Sequence, residues 1–166
     1  MNLSKITPKI LVVDDAPESL IILNSILVND YSLKFTNDPI QALFYANEMP
    51  PDLILLDIMM PGIDGFEVCR QLKTVSKLAD VPIIFITSKK DVDYEEKGFA
   101  IGASDFIHKP ISAPIVKARI RTHLKIKFMM DLLKSEKATL QVDAEHTSAE
   151  IKILKEFIWG NPTVVR

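Results

Sequence analysis

Cysteine is nearly absent from this chain of 166 residues, since Cys69 is the only one. A single thiol excludes an internal disulfide and a zinc site built on several cysteines. Cys69 also falls on a helix that the sequence predicts from Asp64 to about Val75. We therefore interpret it as a packing residue and not as a nucleophile.

Long apolar runs and an excess of one charge are missing as well. Nowhere do about 18 consecutive apolar residues occur, so no transmembrane helix and no membrane insertion are expected. The first residues, MNLSKITPK, lack the apolar core of a signal peptide. The net charge is only −2, which gives no electrostatic reason to expect direct nucleic-acid binding. We expect a cytoplasmic protein whose hydrophobic residues, 48% of the chain, build one core.

What the chain does have is a regular alternation of short apolar runs and helical patterns. Five runs have the length and composition of buried strands, and segments with helical periodicity separate them; two of these segments begin at Ala16-Pro17 and Asp38-Pro39. The alternation predicts right-handed crossovers and a doubly wound parallel sheet of the α/β class. The predicted strands are Lys9–Val13, Ser32–Thr36 and residues 52–56, 82–87 and 104–107.

The C-terminal part follows a different pattern. From Ser112 a helix begins without a clear breaker, and apolar residues recur along it at spacings of four to five. We expect this extended helix to reach about Leu140, where the polar segment 143–148 interrupts it. A short last helix is then predicted over residues 149–159.

The ends of the predicted strands carry complementary chemistry. The carboxyl ends of parallel strands meet at one edge of a sheet, which here brings together Asp14, Asp15, Asp57, Thr87 and Lys109. Three crowded carboxylates repel one another, and a divalent cation such as Mg²⁺ removes the conflict. A hydroxyl and an ammonium across the pocket suit the oxygens of a phosphoryl group. The set indicates aspartyl phosphorylation, with Asp57 as nucleophile, Lys109 balancing charge and Thr87 sensing the product.

The segment from Lys9 to Lys125 resembles the receiver domain of the response regulators of bacterial two-component systems, a CheY-like superfamily. The motifs ILVVDD, LILLDIMMPGIDG, PIIFITS and DFIHKP carry the resemblance. It implies a flavodoxin-like sheet with strand order 2-1-3-4-5. It also implies a receiver domain over residues 1–125, followed over residues 126–166 by a helical stalk or linker toward an output domain.

The resemblance also implies a role for each site residue. Asp57 takes a phosphoryl group from the phosphohistidine of a histidine kinase, and Lys109 matches the family's lysine. Mg²⁺ is held by Asp15, Asp57 and the backbone carbonyl of Met59, while Asp14 acts through water.

Two further residues match the switch pair of this family, Thr87 and Phe106. The hydroxyl moves toward the phosphoryl group, and the aromatic ring turns inward behind it. Taken singly, each site residue is at least as typical of a structural role, such as a helix cap, a strand-end hydroxyl or a core ring, as of a functional role. The coincidence at four strand ends favours the functional interpretation.

The function implied is a signalling switch and not an enzyme, since the chain would catalyse only its own aspartyl phosphorylation and dephosphorylation. Its expected partners are a sensor histidine kinase or phosphotransfer protein and a second copy of the chain. The homodimer would form through the C-terminal helix or through the face of helix 4, strand 5 and helix 5, which are the helix predicted over residues 91–101, the strand 104–107 and the helix that begins at Ser112. The sequence ARIRTHLKIKFMMDLLK resembles the junction helix of regulators that carry cyclic-dinucleotide or kinase modules. No signature of such a module occurs in the sequence, which favours a truncated chain or an output through the stalk itself.

Three other interpretations stay open. A phosphorylation-independent interaction module, or pseudo-receiver, would share the fold but bind no Mg²⁺. A phosphohydrolase with an aspartyl nucleophile would need an acid two residues after Asp57, where Met59 stands. A flavodoxin-like FMN carrier would need a first loop that cradles phosphate, which Asp14 and Asp15 would repel.

Overall fold

The computed structural model describes residues 7–159, and its centre is a sheet of five parallel strands in the order β2-β1-β3-β4-β5. This confirms the predicted fold class and strand order. The strands lie within about one residue of the predicted bounds. They are β1 Lys9–Val13, β2 Ser32–Thr36, β3 Leu53–Asp57, β4 Ile83–Thr87 and β5 Asp105–His108.

Within residues 7–159, five α-helices alternate with or follow the strands. A short 3-10 helix at Ser76–Leu78, which the sequence analysis did not predict, lies between α3 and β4. The helices are α1 Pro17–Leu27, α2 Pro39–Glu48, α3 Gly65–Thr74, α4 Val92–Ala100 and α5 Ala113–Trp159.

Short polar side chains and proline determine where several helices begin. The carboxylates of Asp38, Asp64 and Asp91 accept hydrogen bonds from backbone N–H groups in the first turns of α2, α3 and α4. Pro39 supplies a first helical residue that needs no N–H partner. Gly102, with φ of +104°, follows α4 in a left-handed conformation that a side chain would disfavour.

The hydrophobic core has two layers, one on each face of the sheet. One layer packs the side chains of β1, β3 and β4 against α2 and α3, and the other packs them against α1 and the first turns of α5. The strands β3 and β4 are buried along their whole length, as expected for a parallel sheet covered on both faces. Ile21 on α1 is 69% exposed, because Leu23 and Leu27 occupy the buried face of this helix.

The prediction for the C-terminal helices was wrong. Helix α5 is continuous from Ala113 to Trp159, with no interruption at residues 143–148. Polar side chains there bond along the helix instead of breaking it: Thr147 Oγ1 donates to the Asp143 carbonyl at 2.9 Å. Neither glycine nor proline occurs between Pro114 and Gly160, so nothing in the sequence stops the helix.

The chain divides into two units after Lys127. In the first unit, the inner face of α5 is buried through Val116, Ile120 and Leu124. In the second, every side chain described between residues 128 and 156 is exposed. The receiver boundary at residue 125 and the stalk role of residues 126–166 stay predictions, and residues 160–166 lie outside the described part.

Candidate functional site

The site lies at the carboxyl edge of the sheet, where four parallel strands end in register. Asp57 pairs with Ile86 across β3 and β4, and Thr87 pairs with His108 across β4 and β5. Asp14 directly follows β1, and its backbone N–H donates to the carbonyl of Thr36, the last residue of β2. Because all strands run in the same direction, the residues at and just after their ends share one edge.

Three carboxylates form the acidic half of the site. Asp14, Asp15 and Asp57 each offer an oxygen, and these oxygens lie within 4.8 Å of one another. Asp14 and Asp57 are buried, and Asp15 is more exposed. Asp14 also accepts a hydrogen bond from the Ala16 N–H at 2.8 Å, which fixes its orientation at the start of α1. Hard carboxylate oxygens at this spacing fit a divalent cation such as Mg²⁺.

Burial and like charge alter the ionisation of Asp57. Burial, followed by the Asp14 carboxylate, raises the pKa of Asp57 from 3.8 to about 6, although Lys109 acts in the opposite direction. Met59, the remaining predicted metal residue, lies in the loop two residues after Asp57, and its side chain is half-exposed. A thioether is a poor ligand for Mg²⁺, so only the Met59 carbonyl could serve.

Lys109 provides the cationic half of the site. Its ammonium donates to Asp14 Oδ2 at 3.0 Å and lies 3.3 Å from Asp57 Oδ1. Burial favours the neutral amine, but the two carboxylates outweigh it and raise the pKa of Lys109. The Lys109 N–H donates to the Thr87 carbonyl at 2.8 Å, and the peptide bond to Pro110 is cis.

Thr87 and Phe106 lie on neighbouring strands behind the acidic cluster. Thr87 is buried, and its Oγ1 accepts a hydrogen bond from the Lys89 N–H at 3.0 Å. The buried ring of Phe106 packs against Phe85 and Phe99, with ring centroids 5.4 and 5.1 Å apart. A Cβ at Gly98 would lie 2.4 Å from the tip of the Phe106 ring, where it would collide with the ring.

His108 makes two contacts that its sequence context did not predict. Its Nδ1 lies 3.1 Å from the Lys89 carbonyl oxygen, and its Nε2 lies 2.8 Å from Glu95 Oε1. His108 thereby connects the end of β5, next to Lys109, to the loop before α4 and to α4 itself. Only its place beside Lys109 in the sequence could have drawn attention to it.

Gly65 is a second residue whose importance the sequence did not reveal, because Asp64-Gly65 reads only as a turn. A Cβ on Gly65 would lie 2.2 Å from the carbonyl oxygen of Asp57. The Gly65 N–H donates to the Ile58 carbonyl at 2.9 Å and closes the loop between β3 and α3. The first turn of α3 therefore packs directly against the backbone of Asp57.

The family profile described as "Response regulator receiver domain" matches residues 10–121, which include every residue of this site. The chain belongs to the response regulator receiver family. Receivers are signalling modules that accept phosphoryl groups, interact with histidine kinases or phosphotransfer proteins and generally bind Mg²⁺ at an acidic pocket. The individual roles predicted for Asp14, Asp15, Asp57, Met59, Thr87, Phe106 and Lys109 stay predictions.

Relatives of this receiver are parts of larger proteins. It is 34% identical over 149 residues to a Vibrio cholerae protein named "Probable cyclic di-GMP phosphodiesterase", an alignment that covers 90% of this chain and 34% of that protein. It is 38% identical over 132 residues to response regulator PleD of Caulobacter vibrioides, and this alignment covers 79% of this chain and 29% of PleD. The chain thus spans about a third of the length of these curated relatives.

A solved structure supports the fold. The signal receiver domain of a signal transduction histidine kinase from Syntrophus aciditrophicus has a TM-score of 0.65 and 30% identity to this chain, and the match covers 71% of this chain and 90% of that one. Within residues 7–159, none of the helices combines the length and the apolar composition that crossing a bilayer requires.

Proposed function

We propose that this receiver is a phosphoacceptor switch whose nucleophile is Asp57. Its phosphoryl donor is the phosphohistidine of a sensor histidine kinase or of a phosphotransfer protein. The observation that supports this most is the convergence of Asp57 with Asp14, Asp15 and the ammonium of Lys109. The chain then catalyses only its own phosphorylation and dephosphorylation, and the phosphorylated state controls dimerisation or an output module.

The proposed reaction is an in-line displacement at phosphorus. A carboxylate oxygen of Asp57 attacks the phosphorus, the P–N bond breaks, and the donor imidazole leaves with the electron pair and takes up a proton. With a pKa of about 6, Asp57 is mostly ionised at neutral pH and is more basic than an exposed aspartate. The ammonium of Lys109 lies 3.3 Å from Asp57 Oδ1. It can interact with the carboxylate before the transfer and with the phosphoryl oxygens after it.

Asp14, Asp15 and Asp57 would hold Mg²⁺, with the backbone carbonyl of Met59 as a further oxygen ligand. When bound, the ion neutralises charge on the carboxylates and on the phosphoryl oxygens. In this arrangement Asp14 acts through water and keeps its hydrogen bond with Lys109. The carboxylate of Asp57 then serves both as ligand and as nucleophile.

Thr87 and Phe106 would transmit the change. If Thr87 turns its hydroxyl to donate to a phosphoryl oxygen, the Lys89 N–H loses its acceptor, and the loop held by His108 can rearrange. The ring of Phe106 then turns inward toward the space that the hydroxyl leaves. Couplings of this kind are typically about 1 to 3 kcal/mol, which is enough to shift a population between two states.

The wider proposal concerns what the switch controls. We propose a cytoplasmic protein in which residues 1–125 form the receiver and residues 126–166 a helical stalk or linker toward an output domain. A homodimer, formed through the C-terminal helix or through the face of α4, β5 and α5, would carry the signal. The chain of 166 residues itself is not expected to bind nucleic acid, because its net charge is −2.

Labelling with a small phosphodonor tests the proposal. Wild-type protein incubated with acetyl phosphate and Mg²⁺ is expected to gain the mass of one phosphoryl group, which hydroxylamine removes because it cleaves acyl phosphates. Asp57→Asn should gain none. Asp52→Asn is the matched control, since Asp52 precedes β3 at the opposite edge of the sheet and accepts a hydrogen bond from the Lys9 N–H. Labelling of Asp57→Asn would refute the assignment, and an unlabelled wild type that binds no Mg²⁺ would favour the pseudo-receiver.

A further inference from the structure

Helix α5 carries an exposed apolar stripe beyond the receiver core. Five large apolar side chains of the stripe are between 41% and 69% exposed. Together with the smaller or charged residues between them, these side chains recur at alternating spacings of three and four residues, which is the pattern of the a and d positions of a heptad repeat. The stripe consists of Met130, Leu133, Lys137, Leu140, Ala144, Thr147, Ile151 and Leu154.

The residue types in the stripe match a parallel two-stranded coiled coil. Leu133, Leu140 and Leu154 occupy d positions, where leucine favours two strands, and the β-branched Ile151 occupies an a position. Lys137 is the one charged residue in an a position, and a single polar a position fixes register and oligomeric state. An exposed apolar stripe on a long helix marks an interaction surface, and a stripe of a and d positions fits an identical stripe on a second copy.

Charges beside the stripe complement one another in the parallel register. A g residue of one helix meets the e residue five positions later on its partner. Glu150 therefore meets Lys155 of a second copy, which gives an attractive pair on both sides of the dimer. The other two g positions, Glu136 and Asp143, meet uncharged glutamine and serine, so the g–e pairs bring no like charges together. The one like-charge contact of this register is Lys137 against its own copy in the a position, which lowers stability while it fixes the register.

We propose that residues 130–154 of α5 form a parallel, in-register coiled coil with a second copy of this chain. This deepens the homodimer in the proposed function by specifying its partner face, orientation and register. It uses no residue of the phosphorylation site and does not require a phosphoryl group. The receiver units are therefore joined whether or not Asp57 is modified, so that, of the two alternatives in the proposed function, phosphorylation controls an output module and not dimerisation.

Disulfide trapping tests the register in the full chain. Leu140→Cys places a thiol in a d position, where it faces its own copy across a parallel seam, and the native Cys69 is buried and does not compete. Val142→Cys is the matched control, because residues 140 and 142 are 69% and 64% exposed but Val142 lies outside the stripe. Under mild oxidation, Leu140→Cys is expected to give a covalent dimer severalfold faster than Val142→Cys. Equal rates would overturn the proposal.

Orientation and stability need two further measurements. In a mixture of Leu133→Cys and Ile151→Cys chains, crosslinks between the two variants would indicate an antiparallel pair, in which a d position faces an a position, and would refute the parallel register. In light scattering, Leu140→Asp is expected to raise the dimer dissociation constant about tenfold or more, because two core leucines are lost per dimer, whereas Val142→Asp leaves it unchanged. A wild type that stays monomeric at every concentration would also overturn the proposal.

Charge reversal supplies an independent check. Glu150→Lys and Lys155→Glu should each weaken the homodimer, and a mixture of the two variants should form a heterodimer in which both pairs are attractive again. Failure of the mixture to associate better than either variant alone would contradict the register. All these measurements are made without a phosphodonor, so their outcome is separate from the labelling of Asp57. Acetyl phosphate labelling of Leu140→Asp shows whether the proposed function survives loss of the dimer.

Discussion

The ionisation of Asp57 should cost the folded protein stability, and Asp57→Asn should remove that cost. The pKa of Asp57 is about 6 in the folded chain against an ordinary value of 3.8. The folded state therefore binds a proton at Asp57 more tightly than the unfolded state does, and folding stability falls as the pH rises between these two values. The difference corresponds to about 3 kcal/mol once the pH is well above 6.

Asparagine has nearly the same shape as aspartate but carries no charge, so the variant should gain most of this free energy. At about pH 7.5 in EDTA, we expect Asp57→Asn to be about 2 to 3 kcal/mol more stable than wild type. At about pH 4, we expect the difference in stability between the two proteins to be less than about 1 kcal/mol. Adding Mg²⁺ should narrow the gap, because the ion stabilises the wild-type carboxylates by binding to the folded state.

Urea unfolding at several pH values and one protein concentration measures the effect. The difference between variant and wild type isolates Asp57, because other groups titrate in both proteins. Asp52→Asn is the control: a neutral amide oxygen replaces the carboxylate that accepts the 2.7 Å hydrogen bond from the Lys9 N–H, which weakens this bond, so the variant should be destabilised and not stabilised. A wild type at least as stable as Asp57→Asn at neutral pH, or a difference that does not change with pH, would refute the reasoning.

Two more substitutions test contacts around the site by the same unfolding assay. Gly98→Ala should cost about 1 to 3 kcal/mol, since its Cβ would lie 2.4 Å from the Phe106 ring; a cost that Phe106→Leu does not reduce would show that the clash is not the cause. Asp105→Asn should cost about 1 to 3 kcal/mol at neutral pH, because its carboxylate accepts hydrogen bonds from Arg119 and His123. Burial opposes the ionisation of Asp105, but these hydrogen bonds outweigh burial and lower the pKa of Asp105. The contribution of the ionised Asp105 to folding stability is therefore complete above the ordinary pKa of 3.8, and it disappears as the pH falls through the lower pKa of the folded state. A cost that is the same at about pH 3 and at about pH 7 would contradict this account.

The sheet and the convergence at its edge could be predicted because each depends on local sequence. Apolar runs gave the strands, and parallel topology then placed Asp57 beside Asp14 and Lys109 without any knowledge of side-chain contacts. The sequence could not predict which neighbour Lys109 prefers. Its shorter contact is with Asp14, which the Ala16 N–H orients, and such a choice depends on distances of tenths of an ångström.

The errors in prediction have physical causes. Residues 143–148 form a mostly polar segment, and polarity alone does not interrupt a helix. A helix stops at glycine, proline or a capping geometry, and none of these occurs there, so α5 continues. The contacts of His108 could not be predicted either, because they join groups 13 and 19 residues away in the chain.

The close approach of Gly65 to Asp57 limits how this receiver can diversify. Any other residue at position 65 would drive a carbon atom into the backbone of the proposed phosphoacceptor, so change there requires a simultaneous shift of α3 or of β3. In the loop that Gly65 closes, Met59 and Pro61 are exposed, whereas Gly62, with φ of +82°, has a left-handed conformation that favours glycine. Mutation at residues 59 and 61 can therefore alter the surface beside Asp57, while residues 62 and 65 preserve the path of the loop and the position of the acid.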